Sequence, residues 1–178
     1  ATMLSAAVGH IIASEIAETN GGEASDLSVR RYLHRIVGKT AVLFALSFHL
    51  GASEAAGENG DQRIVEILRR VGYNVGVGFQ IIDDLLDLFG TEQTTGKPAG
   101  TDLRQGVMTL PIILAANSSQ RSRLIRVLGR MARSSRTTPR ILRFWQERTL
   151  NRVREQVSEV GGRAGAMAAA EVYTRRAE

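Results

Sequence analysis

Three carboxylates crowded onto one arc of an otherwise apolar run constrain this chain more than any other feature. Asp83, Asp84 and Asp87 stand among Ile81, Ile82, Leu85, Leu86, Leu88 and Phe89. At about 100° per residue in a helix, the carboxylates fall within roughly 100° of arc and the six apolar residues take roughly 160° on the other side. Gln80 lands in the middle of the acidic arc, and Gly76 and Tyr73 lie on it one and two turns earlier. One face can join a core while the other presents three anions and an amide. Like charges at i,i+3 and i,i+4 destabilise an isolated helix, so the arrangement calls for a cation set against it. Hard oxygen ligands suit Mg²⁺, which keeps several waters and bridges one or two carboxylates to phosphates.

The bland alternative is a solvated acidic face, which is common on helices. The residues that follow count against it. Thr91 to Gln105 reads as a polar loop carrying Lys97 and Arg104. Its Gly96 and Gly100 allow the backbone to approach a ligand closely. Cations beside a metal-binding carboxylate face are what a diphosphate requires.

The pattern GxxFQIxDDxLD, from Gly76 to Asp87, is followed by GKPxGxDLxxGxxTLP, from Gly96 to Pro111. Together they resemble the second aspartate-rich motif of the trans-prenyltransferases, the isoprenyl or polyprenyl diphosphate synthases. The weaker likeness runs along the whole chain. Residues 1–178 are therefore expected to be one domain, the C-terminal part of an all-helical prenyltransferase.

The rest of the sequence suits helices. It is rich in Ala, Leu, Ile, Val and Arg, and only 5% is aromatic. No uninterrupted apolar run reaches the roughly 18 residues of a membrane span. No secretory leader opens the sequence. The absence of cysteine removes disulfide and thiolate-metal frameworks and fits a cytoplasmic protein. The net charge of +5 is concentrated in arginines after Arg121. It permits an anionic partner such as a diphosphate, a membrane surface or nucleic acid. The arginines are spread around amphipathic helices and no nucleic-acid motif accompanies them, so nucleic acid is not the expected partner. Peripheral membrane contact stays open.

Taken in order, Leu4, Val8, Ile11, Ile12 and Ile16 keep helical spacing until Asn20-Gly21-Gly22. Asp26 or Ser28 can cap a second helix reaching Gly51, interrupted at Lys39-Thr40. Residues 52–60 read as a loop, and Asp61 opens a long buried helix ending at Phe89. Gly72 and Gly76, one turn apart, suit close helix packing. Thr109-Leu110-Pro111 starts a short helix to about Ala116. Ser118 or Ser119 can cap the next, to about Arg133. Thr138-Pro139 marks another start, for a helix carrying Ile141, Leu142, Trp145, Val153 and Val157. Gly161-Gly162 breaks the chain before an Ala-rich last helix. Histidines 10, 34 and 49 read as packed or surface residues. The expected fold is all-α: an antiparallel helical bundle of the isoprenoid synthase type, incomplete because its N-terminal helices are missing.

The resemblance implies the chemistry. Family members elongate an allylic prenyl diphosphate with isopentenyl diphosphate, by Mg²⁺-assisted ionisation, attack of the alkene on the allylic cation and proton loss. Carried over by position, Asp83, Asp84 and Asp87 would hold Mg²⁺, with Asp83 the best single ligand. Lys39 and Lys97 would contact the allylic diphosphate. Thr40 and Gln80 would line the site near the cation, and Asp102 would orient the loop. Two departures stand out. Val107 occupies a place where many members carry a further lysine. The first aspartate motif is also absent, since no other DDxxD occurs in the 178 residues. The fragment alone is therefore expected to be inactive. The resemblance further implies a dimer, of like chains or of two different ones. Three other readings stand beside this one: a non-catalytic binding subunit that works through a partner, a class I terpene cyclase, and an arginine-rich nucleic-acid binder. The cyclase is disfavoured because its second metal motif is of an Asn/Ser/Glu type.

Overall fold

The computed structural model describes residues 5, 8, 9, 11–13, 16, 27–58, 60–96, 98–119, 121–134 and 139–178, with the backbone alone at 94–95, 129–134 and 139–146. Every regular element among them is helical, as the periodicity predicts. His10, Asn20-Gly21-Gly22, Asp26, Lys97 and Thr138 lie outside the described residues, as do the side chains of Ile141, Leu142 and Trp145. The chain divides into two compact units. The first comprises residues 1–21, 33–82 and 168–178; the second comprises 22–32 and 83–167.

Helix α1 (Val29–Ile36) starts at Ser28, whose hydroxyl accepts the Arg31 N–H at 3.4 Å and whose carbonyl accepts Tyr32 N–H at 3.0 Å. Ser28 thus fills the capping role, satisfying a donor that the first turn leaves unpaired. The rod continues through one wide π turn, Val37–Ala41, into α2 (Val42–Ala56). The interruption expected at Lys39-Thr40 is this π turn. The helix does not stop at Gly51. It runs on to Gly57, which takes φ +64°, a left-handed conformation that L side chains avoid. Residues 52–56, expected as loop, are therefore helical. The span Val29–Ala56 has a length and hydropathy that would also suit a membrane helix.

In the first unit, that rod packs on α3 (Gln62–Phe89) through glycines. A Cβ at Gly72 would lie 2.6 Å from the Phe44 carbonyl oxygen, and one at Gly76 would lie 2.7 Å from the Ala41 Cα. Both neighbours are backbone atoms that cannot swing aside, so the two helices approach to a distance only glycine allows. Asp61 opens α3: its Oδ1 accepts the Arg63 N–H at 2.8 Å. Later along α3, Gly78 faces Thr174 and Ala170 of α9 (Gly162–Ala177), and Asn74 donates to the Arg176 carbonyl at 3.4 Å.

The burial of α3 differs from the arc that hydrophobicity alone suggests. Val77, Ile81, Asp84, Leu85 and Leu88 are buried, whereas Ile82 and Leu86 are exposed. The inward arc is rotated by roughly 60° toward the carboxylates. The helix is also not buried throughout, since Ile64, Ile67 and Phe79 are exposed. Apolar residues tolerate exposure singly; what needs explaining is the buried carboxylate.

In the second unit, the segment after Phe89 is not a simple loop. It holds two short helices, α4 (Glu92–Thr95) and α5 (Thr101–Gln105). Gly100, with φ +72°, is buried against Leu150 rather than turned toward a ligand. Helix α6 (Leu110–Ala116) follows an extended Thr109 with proline in its first turn, and all but one of its residues are buried. It packs with α7 (Arg121–Ser134) and α8 (Pro139–Glu159), whose Val153 and Val157 face inward as expected. Asn117 donates to the Leu27 carbonyl at 3.2 Å, tying the approach to α1 to the end of α6.

The glycine contacts give two substitutions of opposite sign. Gly72→Ala is expected to destabilise the protein by about 1–3 kcal/mol, because it overpacks a backbone contact. Gly51→Ala, in a helix with open space around it, is expected to stabilise by about 0.5–1 kcal/mol. Urea denaturation of the two variants beside the parent checks both signs.

Candidate functional site

The C-terminal turns of α3 sort the three carboxylates into three environments. Asp83 is exposed. Asp84 is 4% exposed, and one of its oxygens accepts the hydroxyl of Tyr32, itself 1% exposed, at 2.7 Å. Asp87 is half-buried and faces the first turn of α5. Its Oδ1 accepts the Thr101 N–H at 3.1 Å and its Oδ2 the Asp102 N–H at 3.2 Å, while its carbonyl accepts the Gly100 N–H at 2.7 Å. Asp102 thus meets Asp87 through its backbone amide.

Burial pushes the Asp87 carboxyl above its ordinary pKa, the two amides pull it down, the Asp83 charge raises it further and Arg104 lowers it. A cation set between Asp83 and Asp87 would cancel the Asp83 repulsion and stabilise the charged form of Asp87 against its burial. Mg²⁺ usually takes one or two carboxylates and fills its remaining positions with water and phosphate oxygens. Asp83 with Asp87 suits that requirement. A cage of three carboxylates is not what the helix offers: Asp84 points inward, and no group of three His, Cys, Asp or Glu among the described residues is gathered to hold a metal.

The end of α3 is closed from α8. Arg154 donates from Nε to the Leu88 carbonyl and from Nη2 to the Gly90 carbonyl at 3.1 Å, and its Nη1 reaches Asn151 Oδ1 at 3.2 Å. These carbonyls belong to the turn that lacks partners inside the helix, at the negative end of its dipole. Burial, and then the neighbouring Arg104 charge, pull the Arg154 pKa down, while Asp87 opposes them. Arg163 lies over the Phe89 ring at 5.0 Å. Sequence reading missed both Tyr32 and Arg154. Neither carries a local signal, because their partners lie 52 and 66 residues away.

In the first unit, Lys39 and Thr40 sit in the π turn, a feature that recurs at functional positions. Thr40 Oγ1 donates to Gln80 Oε1 at 2.7 Å. The contact fixes which way the Gln80 amide points, leaving its NH₂ group to face elsewhere. Thr40 and Gln80, which the resemblance assigns separately to one site, are therefore in direct contact.

Residues 1–144 match the polyprenyl synthetase family. The chain belongs to that family. Among its relatives, heptaprenyl diphosphate synthase component 2 of Bacillus subtilis is 32% identical over 175 residues, which is 98% of this chain and 46% of that protein. The protein of the same name from Geobacillus stearothermophilus is 39% identical over 71% of this chain and 39% of its own length. Among solved structures, a polyprenyl synthase from Caulobacter crescentus, complexed with calcium and isoprenyl diphosphate, superposes with a TM-score of 0.79. It is 32% identical over 99% of this chain and 50% of that one. A geranylgeranyl pyrophosphate synthase superposes with a TM-score of 0.83 at 25% identity, covering 99% of this chain and 51% of its own. The all-α isoprenoid synthase fold is thus shared with family members, and the chain spans about half their length.

Arg154→Met keeps the apolar stem and removes the donors to two carbonyls at the end of α3. It is expected to cost about 1–3 kcal/mol, the penalty of leaving buried acceptors unpaired. Denaturant unfolding of the variant checks this; an unchanged midpoint would mean that the carbonyls find other partners.

Proposed function

We propose that this chain carries the diphosphate-ionising half of a prenyltransferase, one that elongates an allylic prenyl diphosphate with isopentenyl diphosphate. The observation that carries the reading is the end of α3, where an exposed Asp83 stands one turn before an Asp87 held by the amides of Thr101 and Asp102. In this reading Asp83, assisted by Asp87, holds Mg²⁺, which supplies charge neutralisation for the departing diphosphate. Lys39 and Lys97 contact the same diphosphate. The C1–O bond of the allylic substrate breaks and pyrophosphate leaves. The alkene of isopentenyl diphosphate attacks C1, and loss of a proton restores a double bond. The amide and hydroxyl of Gln80 and Thr40, already fixed on each other, line the site near the cation. The amides of Thr101 and Asp102 keep Asp87 from swinging as charge develops, so its orientation is set before the reaction begins. We place the reaction in the cytoplasm.

A second reading has support of its own. Two of the relatives are named as a component 2 of a heptaprenyl diphosphate synthase. In that reading the protein is one subunit of a heteromeric synthase. The exposed Ile64 and Ile67 of α3 offer apolar surface for either a like or an unlike partner.

Asp83→Asn in the complete protein removes a negative ligand at nearly constant shape. Turnover is expected to fall by about 10²–10³-fold, the usual cost of one transition-state electrostatic contact. Melting temperature should hold or rise, since one of three like charges is gone. Wild-type turnover with unchanged Mg²⁺ dependence would remove Asp83 from the site.

The 178-residue chain by itself is expected to incorporate no radiolabelled isopentenyl diphosphate. Incorporation without any added protein would show that one motif suffices. Activity of the complete protein alone, against activity only with an added second chain, separates the enzyme from the subunit.

A further inference from the structure

The Tyr32–Asp84 hydrogen bond divides the labour within the aspartate motif. We propose that Asp84 is the motif's anchor rather than a metal ligand, and that Tyr32 is the positioning residue that aims Asp83 outward. This rests on the reading that Asp83 meets a divalent cation, and extends it to a residue outside the motif.

Asp83 and Asp84 are neighbours on one helix, about 100° apart. Both cannot face the same direction. A hydrated divalent cation needs room for several waters around it. Asp84, at 4% exposure and bonded at 2.7 Å to a tyrosine that is 1% exposed, has no such room. Its burial fixes the azimuth of the last turns of α3: with Asp84 inward, Asp83 must point to solvent. The tyrosine makes that orientation tolerable, because a buried carboxylate is retained only where a donor meets it. Tyr32 also lies on α1, where the Ser28 cap sets the start of the helix. Its hydroxyl is thus held by secondary structure rather than by a mobile loop. The neighbouring Asp87 is held independently by Thr101 and Asp102, so the two outer carboxylates have separate supports.

The test uses the complete protein and measures Mg²⁺ binding in the presence of inorganic pyrophosphate by calorimetry. Tyr32→Phe is expected to weaken binding about tenfold, at the low end of what support residues behind a metal ligand cost. Adding Asp84→Leu to Tyr32→Phe replaces the polar pair by an apolar one of similar volume, which interiors tolerate. Binding should return to within about threefold of the parent, because residue 84 again points inward. If Asp84 were a ligand, the double variant would bind no better than Tyr32→Phe alone. Asp84→Asn, which keeps an acceptor for the tyrosine, covers the case in which the double variant does not fold; it too should stay within about threefold. The proposal is overturned if Asp84→Asn weakens binding tenfold or more, or if Tyr32→Phe leaves it unchanged. Normal binding by Asp83→Asn would instead sink the preceding reading of Asp83.

Discussion

A carboxylate taken out of water must be met by a donor, and much of this structure follows from how Asp84 is met. Its inward position is what rotates α3 away from the arc that apolarity alone prefers, leaving Ile82 and Leu86 outside. Exposing two aliphatic side chains forgoes a few kcal/mol of burial at most, whereas an unpaired buried carboxylate costs more than that. The hydroxyl of Tyr32 offsets part of the cost of keeping Asp84 inside. Asp83 takes its exposure from this arrangement and is the one exposed carboxylate of the three.

Glycine plays the matching part in the first unit. Gly72 and Gly76 let α3 touch the backbone of the helix that carries Lys39 and Thr40. Ala41, at the end of the π turn, is the atom group nearest to Gly76. Within this unit the distance between Thr40 and Gln80 is thus set largely by main chain against main chain, with the side chains of Phe44 and Phe48 packed beside the two glycines. A contact of that kind cannot breathe by rotamer changes, which makes it a good foundation for a hydrogen bond that must hold its direction.

The sequence made the helical class, the extent of α3, the π-turn interruption and the proline start of α6 legible, because each rests on local rules of periodicity, capping and backbone freedom. The motif around Asp83 also pointed to the family without any structure. Long-range polar pairing was what periodicity could not convey. Asp84 reads as part of an acidic face until the tyrosine 52 residues earlier is seen to reach it. Gly100 reads as a glycine kept for a ligand until Leu150 is found against it. The continuation of α2 past Gly51 was missed because glycine weakens a helix without ending it; the true stop needed the positive φ of Gly57.

The grip of Arg154 on the last turn of α3 has a consequence for the order in which the molecule assembles. Helices form within about a microsecond, and α3 can be largely complete while its C-terminal carbonyls still bond to water. Their protein partner arrives from a residue 66 positions further along the chain. Closing so large a loop is entropically costly and comes late. During synthesis, the aspartate end of α3 therefore emerges well before the arginine that fastens it. The Leu88 and Gly90 carbonyls are without their arginine until α8 has been made and docked, whereas Asp87 can already be met by the nearby amides of Thr101 and Asp102. The carboxylates thus have all their supports upstream of Arg154, and a ribosome stalled before Arg154 would carry a nascent chain that lacks only the clasp on the Leu88 and Gly90 carbonyls.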